Sequence, residues 1–188
     1  KLGSEIAGLG GDEQFVKTEA SGKIYQGIYG NNIIFSTELE GGILTMGKGY
    51  SKIVDRFQLG GRSFRGFKYS GIGPRELSGG AYTIPLGGEK YAIARFAASF
   101  PLGLPRELGL FGSIFAEAGT LWDLKTDPNV SGLSDKIALT DRSLRTSVGF
   151  AMNWETPIGP LQFNWSRPQK YLDADSPEYF SLNLATRF

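Results

Sequence analysis

The side chains that could do chemistry in this chain are its Arg, Lys, Asp and Glu residues, because it contains no Cys and no His. That absence removes thiol catalysis, imidazole acid–base chemistry and nearly every zinc, haem or iron–sulfur site. The Ser and Asp residues have no imidazole that could activate a nucleophile. We therefore expect no enzyme, no cofactor and no metal site. The chemistry left to these side chains is ion pairing.

Charges within strand-like segments lie mostly on the polar side of an alternating pattern. Successive side chains of a strand point to opposite faces, so segment 14–28 sets Lys17 opposite Val16. In segment 110–122 the same alternation turns Glu117 to the polar face. Similar alternation occurs in segments 1–8, 32–44, 89–100, 146–155, 161–166 and 178–188. The pattern therefore predicts about eight strands.

The composition agrees with an all-β fold that has many turns, since 40% of the 188 residues are hydrophobic, 13% are aromatic and 27 are Gly. No run of eighteen apolar residues could form a transmembrane helix. The net charge of +1 does not suggest nucleic-acid binding. The chain shows no signal peptide and begins with Lys1 inside a strand-like stretch, so we expect it to be a piece of a longer protein.

The separation of polar from apolar faces favours a membrane barrel over a soluble one. A charge on the lipid face costs roughly 2–4 kcal/mol near mid-depth, so lipid enforces this separation more strictly than water. Strand lengths of about nine to thirteen residues also suit a tilted crossing of the bilayer. A soluble lipocalin-like barrel is the alternative, and it would have the apolar face inside and the polar face outside.

The connections alternate between short turns and long loops, at 29–31, 47–88, 101–105, 123–144, 156–160 and 168–178. Short turns on the periplasmic side and long loops outside are typical of outer-membrane barrels. The sequence thus predicts an all-β fold, an antiparallel transmembrane β-barrel in the bacterial outer membrane.

The terminal strand adds a further signal. Phe180, Leu182, Leu184 and Phe188 share one face, and the residues between them are small or polar, including the charged Arg187. An alternating strand that ends in an aromatic residue suits an outer-membrane barrel. For this segment alone, a half-buried strand of a soluble sandwich is an equal alternative.

The long loop at 47–88 contains the stretch Phe57-Gln-Leu-Gly-Gly-Arg-Ser-Phe-Arg-Gly-Phe67, followed by Gly71-Ile-Gly-Pro-Arg75. This stretch closely resembles the signature loop of the BamA family of outer-membrane assembly barrels. The resemblance lies in the pair Gly60 and Gly61 and in the motif Phe64, Arg65, Gly66 and Phe67. Ala118-Gly-Thr-Leu-Trp-Asp123, Pro157-Ile-Gly-Pro-Leu161 and the terminal strand resemble later family motifs in the same order.

The resemblance spans residues 1–188 and implies about eight strands that form the carboxy-terminal half of a sixteen-stranded barrel. Residues 47–88, the signature loop, would be extracellular, and the POTRA domains and first strands would be absent from this chain. The implied function is folding and insertion of β-barrel proteins into the outer membrane. The implied partners are nascent outer-membrane proteins, accessory lipoproteins and the lipid bilayer, with no nucleic acid and no cofactor.

The resemblance also implies roles for single residues. In the family the signature loop folds into the barrel and its Arg pairs with acidic residues of the wall, which here would be Arg65 and Glu117. A second family acid is replaced near Ala97 or Ala98, and Glu38 or Glu40 could substitute for it. The plain alternatives are a solvated Arg65, a Glu117 that meets only water, and glycines that serve only as turn residues.

The terminal strand would act as a recognition signal, through Leu182, Leu184 and Phe188, and as one side of a weak seam that client strands enter. Asn183 stands where many such signals have Gly. Related families share the Arg-Gly-Phe loop, so a translocation-and-assembly barrel or a two-partner secretion transporter is an alternative. A passive outer-membrane pore is another.

Overall fold

The computed structural model describes residues 1–7, 14–28, 32–125, 136–157 and 159–184. Eight strands form the wall: β1 (Leu2–Ala7), β2 (Gln14–Ile28), β3 (Ile33–Lys48), β6 (Lys90–Pro101), β7 (Leu110–Trp122), β9 (Arg145–Thr156), β10 (Gly159–Lys170) and β11 (Phe180–Leu184). Three short strands lie within the long loops: β4 (Arg75–Ser78), β5 (Ala81–Pro85) and β8 (Ile137–Ala138). A single 3-10 turn spans Arg106–Leu108. The described part of the chain has no helix that is long and apolar enough to cross a bilayer.

The wall is one antiparallel sheet in the order β1-β2-β3-β6-β7-β9-β10-β11, and β5-β4-β8 form a separate small sheet. Each wall strand therefore pairs with the next wall strand along the chain, as in an up-and-down barrel. The predicted all-β antiparallel fold is confirmed. The strands β1 and β11 occupy opposite edges and do not pair with each other within the described residues. That additional strands complete the barrel stays a prediction.

Two strands run further than their alternation indicates. β3 continues to Lys48, and β10 continues through Pro168 to Lys170. The ladder between β9 and β10 shifts register between Pro168 and Lys170. A bulge tolerates Pro because the residue there does not have to donate a ladder hydrogen bond. The sequence pattern placed the start of a loop at Pro168, and this boundary was wrong for that reason.

The outward face of the wall is apolar and exposed. Many of its large side chains are between 40% and 71% exposed, among them Val16, Ile24, Phe35, Leu39, Ile43, Phe96, Ile114, Val148, Trp165, Phe180 and Leu182. Charged outward residues such as Lys90 and Arg167 lie near strand ends. An apolar surface of this extent is what lipid covers in a barrel. A lipocalin-like barrel, with its apolar residues inside, is therefore excluded.

The inward face is polar along only part of its length. Near the signature loop, Leu44, Tyr91, Ile93 and Leu121 point inward and are almost fully buried. The alternation predicted a polar inward face. At this end the inward residues are apolar instead, because the signature loop packs on them.

Candidate functional site: the anchored signature loop

The inner segment of the signature loop (residues 56–74) is folded tightly against itself. Gly61 N donates to Phe67 O at 2.6 Å, and Leu59 pairs with Ile72 in an isolated antiparallel bridge. Gly60 has a φ of +129°, and a Cβ there would lie 1.9 Å from the carbonyl oxygen of Lys68. Gly60 is therefore required for two reasons, the backbone conformation and the close approach of a neighbouring chain segment.

Two aromatic side chains fix this segment to the wall. Phe64 and Phe67 are fully buried, and their ring centroids are 5.4 Å apart. They belong to one apolar cluster with Leu44, Phe57, Leu59, Ile72, Tyr91, Ile93 and Leu121. The Phe64 ring occupies the space beside Gly119 of β7, where a Cβ would lie 2.8 Å from a ring carbon. A glycine in the wall thus makes room for the aromatic residue of the loop.

Arg65 is held by two strands of the wall. Its Nε lies 2.5 Å from Glu117 Oε1, and its backbone N–H donates to Glu117 Oε2 at 2.8 Å. Its guanidinium lies over the Phe115 ring at 3.6 Å, a cation–π contact. Its carbonyl accepts a 2.6 Å hydrogen bond from Ser147 Oγ. Arg65 therefore bridges β7 and β9 through its side chain and its backbone.

The geometry of this pair differs from the two-nitrogen fork that Arg and carboxylate groups often form. One carboxylate oxygen receives the Arg65 side chain and the other receives its backbone N–H. The Glu117 side chain is 1% exposed, so both bonds lie where water competes little. Glu117 consequently fixes the path of the loop backbone as well as the Arg65 side chain.

The next residue explains why the motif needs a glycine after Arg65. Gly66 has a φ of +92°, and a Cβ there would lie 2.9 Å from Ser147 Cβ. The hydroxyl that binds the Arg65 carbonyl thus belongs to the residue that crowds Gly66. A side chain at this position would push the loop away from β9.

A second cation, which the sequence did not single out, also binds the loop. Arg95 of β6 donates through Nη2 to Ser63 O at 2.6 Å and through Nε at 3.3 Å. Its Nη1 lies 2.5 Å from Glu40 and 3.4 Å from Glu38. The suggestion that Glu38 or Glu40 supports Arg65 is therefore wrong, because both carboxylates bind Arg95. Glu38 lies directly opposite Arg95 in the β3–β6 register, and this pairing was the available signal.

The wall and the signature loop line an open cavity of about 630 Å³. Its lining is mainly polar and includes Lys23, Glu38, Arg62, Asn153 and Gln162. Gln162 Nε2 donates to Asn153 Oδ1 at 2.8 Å, which links β10 to β9. Asn164 of β10 also points inward, but it is fully buried and does not line the cavity.

The terminal strand β11 pairs with β10 over five residue pairs, from Leu161–Leu184 to Trp165–Phe180. Phe180, Leu182 and Leu184 point outward and are about half exposed. The Phe180 ring packs on Trp165 at 5.5 Å. The other edge of β11 carries no partner strand among the described residues. Phe188 lies outside the described residues, as does the turn 29–31.

An antiparallel wall with an apolar outside, and a loop anchored on its inside, defines a transmembrane β-barrel protein with an internal plug loop. Residues 1–188 match the Omp85 superfamily domain. The chain belongs to the Omp85 superfamily. It is part of an outer-membrane β-barrel, in agreement with the names of its bacterial relatives.

The chain is 31% identical over 173 residues to the outer membrane protein assembly factor BamA of Neisseria meningitidis, covering 81% of this chain and 22% of that protein. It is 39% identical over 118 residues to the mouse sorting and assembly machinery component 50 homolog, covering 61% and 24%. The fold matches the crystal structure of Haemophilus ducreyi BamA lacking POTRA domains 1–3 with a TM-score of 0.73 at 24% identity, covering 91% of this chain and 34% of that one. The chain spans about a fifth of the length of its curated relatives.

Proposed function

We propose that this chain is the carboxy-terminal half of the barrel of a BamA-type assembly factor, which folds and inserts β-barrel proteins into the bacterial outer membrane. The observation that carries the proposal is the Arg65–Glu117 anchor, which joins the Arg of the signature motif to the wall at the position that strand parity had indicated. Nascent outer-membrane proteins would be its clients, and accessory lipoproteins its partners. It would need no cofactor and perform no covalent chemistry.

The physical basis of insertion lies at the edge of β11. Unpaired backbone donors and acceptors can template an incoming strand, which then lengthens the sheet. Within the described residues, β11 pairs with β10 on one side and has no partner strand on the other. This edge is a suitable place for a client strand to enter.

Assembly is favoured over transport and over a passive pore by two observations. The bacterial and mouse relatives are named as an assembly factor and as an assembly machinery component. The buried Phe64 and Phe67 of the plug loop also obstruct the interior, which disfavours a passive pore because a pore requires an open path. These observations support a function at the seam instead of passage through the lumen.

The test is insertion of an unfolded outer-membrane protein into liposomes that contain the full-length protein. We expect Arg65→Ala and Glu117→Ala each to slow insertion by roughly tenfold, since each removes about 1–3 kcal/mol of hydrogen bonding to a buried group. Arg65→Lys should rescue poorly, because an ammonium lacks the planar guanidinium that lies over the Phe115 ring. Arg62→Ala is the matched control, a loop cation without a described partner.

The double variant decides whether the two residues act together. If the anchor carries the effect, Arg65→Ala with Glu117→Ala should lose less than the sum of the two single losses, because both changes remove the same ion pair and only Glu117→Ala also removes the bond to the Arg65 backbone N–H. Strictly additive losses would mean that the residues act separately, and the anchoring role would fail. Normal insertion by both single variants would refute the anchoring role, whereas ion conductance without any insertion by the wild type would contradict the assembly function itself.

A further inference from the structure

We infer that Arg145 and Asp175 are positioning residues that lock the terminal strand to the signature loop, so that docking of the loop controls how firmly the start of β11 is held. This inference rests on the proposed function in one respect, namely that β11 borders the seam. It assigns to the β10–β11 loop (residues 171–179) a task that neither the motif nor the strand alternation indicates.

The backbone of the β10–β11 loop pairs directly with the signature loop. Glu178 N donates to Gly66 O at 2.9 Å, and Lys68 N donates to Ser176 O at 2.9 Å. Ser176 N donates to Gly71 O at 2.8 Å. Pro177 forms an antiparallel bridge with Phe67 between these bonds. The two loops therefore form a short ladder that begins one residue after Arg65.

This ladder ends where the terminal strand begins. Glu178, which binds the signature loop, is followed by Tyr179, whose carbonyl accepts a 2.9 Å bond from Ser166 N of β10. The first residue of β11 is Phe180. The start of the terminal strand is thus held from two sides, by β10 and by the signature loop.

A buried ion pair fixes the far end of this arrangement. Arg145 Nε lies 3.0 Å from Asp175 Oδ2 and Arg145 Nη2 lies 3.2 Å from Asp175 Oδ1, a true two-nitrogen fork. Both side chains are fully buried. Asp175 Oδ2 also accepts the backbone N–H of Leu172 at 2.7 Å. One carboxylate therefore shapes the β10–β11 loop and ties it to the first residue of β9.

Arg75 joins the same cluster from the signature loop. Its Nη2 donates to Ser70 O at 3.2 Å and to Ser176 Oγ at 3.3 Å. Burial lowers the pKa of the Arg75 guanidinium, Asp175 counteracts that effect and Arg145 adds to it. Asp175 thus lies between two arginines, one from the wall and one from the signature loop. Removing the charge of Asp175 leaves two neighbouring cations without a counter-ion.

The coupling follows from the order of these contacts along the chain. Arg65 is fixed to β7 and β9, the next residues pair with 176–178, and β11 starts at Phe180. Loss of either end, Arg65–Glu117 or Arg145–Asp175, should release the ladder and with it the start of the terminal strand. A contiguous hydrogen-bonded path of this kind is a physical route for coupling two distant sites.

The test is amide hydrogen exchange in the full-length protein without any client. We expect Asp175→Asn to speed exchange in the peptide 179–184 by about tenfold to a hundredfold, because a buried cation is left unpaired. Asp173→Asn is the matched control, an exposed carboxylate two residues away, and should change exchange by less than about twofold. Exchange at 26–28 and 33–35, where the β2–β3 hairpin has no described contact with either loop, should stay unchanged and serves as the internal reference.

A second arm keeps the inference open to refutation if Asp175→Asn does not fold. Residue 65 has no described contact with β11, so faster exchange at 179–184 in the Arg65→Ala variant would demonstrate the coupling. Unchanged exchange at 179–184 in Arg65→Ala, or equal acceleration at 26–28 and 33–35, would overturn it. Because no client is present, a failed insertion assay would contradict the proposed function and leave this result standing.

Discussion

The signature loop contains two parts that look alike in sequence and differ completely in the fold. The inner segment 56–74 lies inside the wall, with Phe64 and Phe67 fully buried. The hairpin of β4 and β5 that follows it leaves Tyr82 45% and Ile84 53% exposed. Both parts are rich in Gly and aromatic or aliphatic residues. What separates them is contact with β6, β7 and β9, which the inner segment has and the tip of the hairpin lacks.

The glycines show the same difference. Gly60 and Gly66 have positive φ angles and also approach neighbouring segments closely, since a Cβ there would lie 1.9 Å from the Lys68 carbonyl oxygen and 2.9 Å from Ser147 Cβ respectively. Gly79 and Gly80 at the hairpin tip have positive φ angles of +59° and +81°, but a Cβ there would meet nothing within 4 Å. In the hairpin, glycine only allows the backbone to turn. In the inner segment it also allows a neighbouring chain segment to approach closely.

The largest effect should come from emptying the aromatic site of the inner segment. Phe64→Ala removes a fully buried ring between Phe67 and Gly119, and such truncations cost about 3–5 kcal/mol. Unfolding of the full-length protein in urea and detergent would measure this loss. Ile84→Ala in the hairpin is the control and should change stability by less than about 1 kcal/mol. Equal losses in both would refute the distinction between the two parts.

The glycine comparison gives the next effect in size. Gly60→Ala places a methyl group against the Lys68 carbonyl at a φ that only Gly adopts readily, which costs about 1–3 kcal/mol for the backbone conformation alone. Gly79→Ala meets open space and should cost about 1 kcal/mol. Unfolding midpoints of the two variants measure the difference. A Gly79→Ala variant as unstable as Gly60→Ala would show that the close approach does not matter.

Removal of Arg95, the second cation that binds the signature loop, should have a smaller effect on stability. Arg95→Ala removes the bonds to Ser63 O and leaves Glu40 without its guanidinium. The cost should be about 1–3 kcal/mol, reduced by the hydrogen bonds that water can restore in the open cavity. Arg95→Lys should restore the ion pair to Glu40 better than the paired bonds to Ser63. Exchange of the amides at 62–65 would report the loop contact. Identical exchange in wild type and Arg95→Ala would remove Arg95 from the anchor.

The smallest effect belongs to the hairpin surface. Tyr82→Ser changes an exposed side chain that makes no described hydrogen bond, so stability should shift by less than about 0.5 kcal/mol. Liposome insertion should proceed at the wild-type rate. A large loss of insertion with unchanged stability would instead identify the hairpin as a contact surface for another component.

The spacing of residues was sufficient to predict the wall strands and their faces. Alternation placed Glu117 on the polar face and Val16 and Leu182 on the apolar face, and in the structure Glu117 is buried inside the wall while Val16 and Leu182 are exposed outside it. Alternation depends only on the pleat of the strand, which every residue imposes locally. The family motif brought Arg65 to attention, although its bonding to Glu117 through the backbone was visible only in the fold.

The sequence by itself determined the antiparallel wall, its two faces and the motif of the signature loop. The tertiary structure alone decided which other charges meet. Asp173 and Asp175 are the same residue type, two positions apart in one loop, yet Asp173 is exposed and Asp175 is buried against Arg145. Likewise, Arg95 binds Ser63, 32 residues away along the chain. These contacts arise where loops pack on the wall, and such packing depends on the whole path of the chain. Strand alternation depends only on neighbouring residues, so the sequence shows it directly.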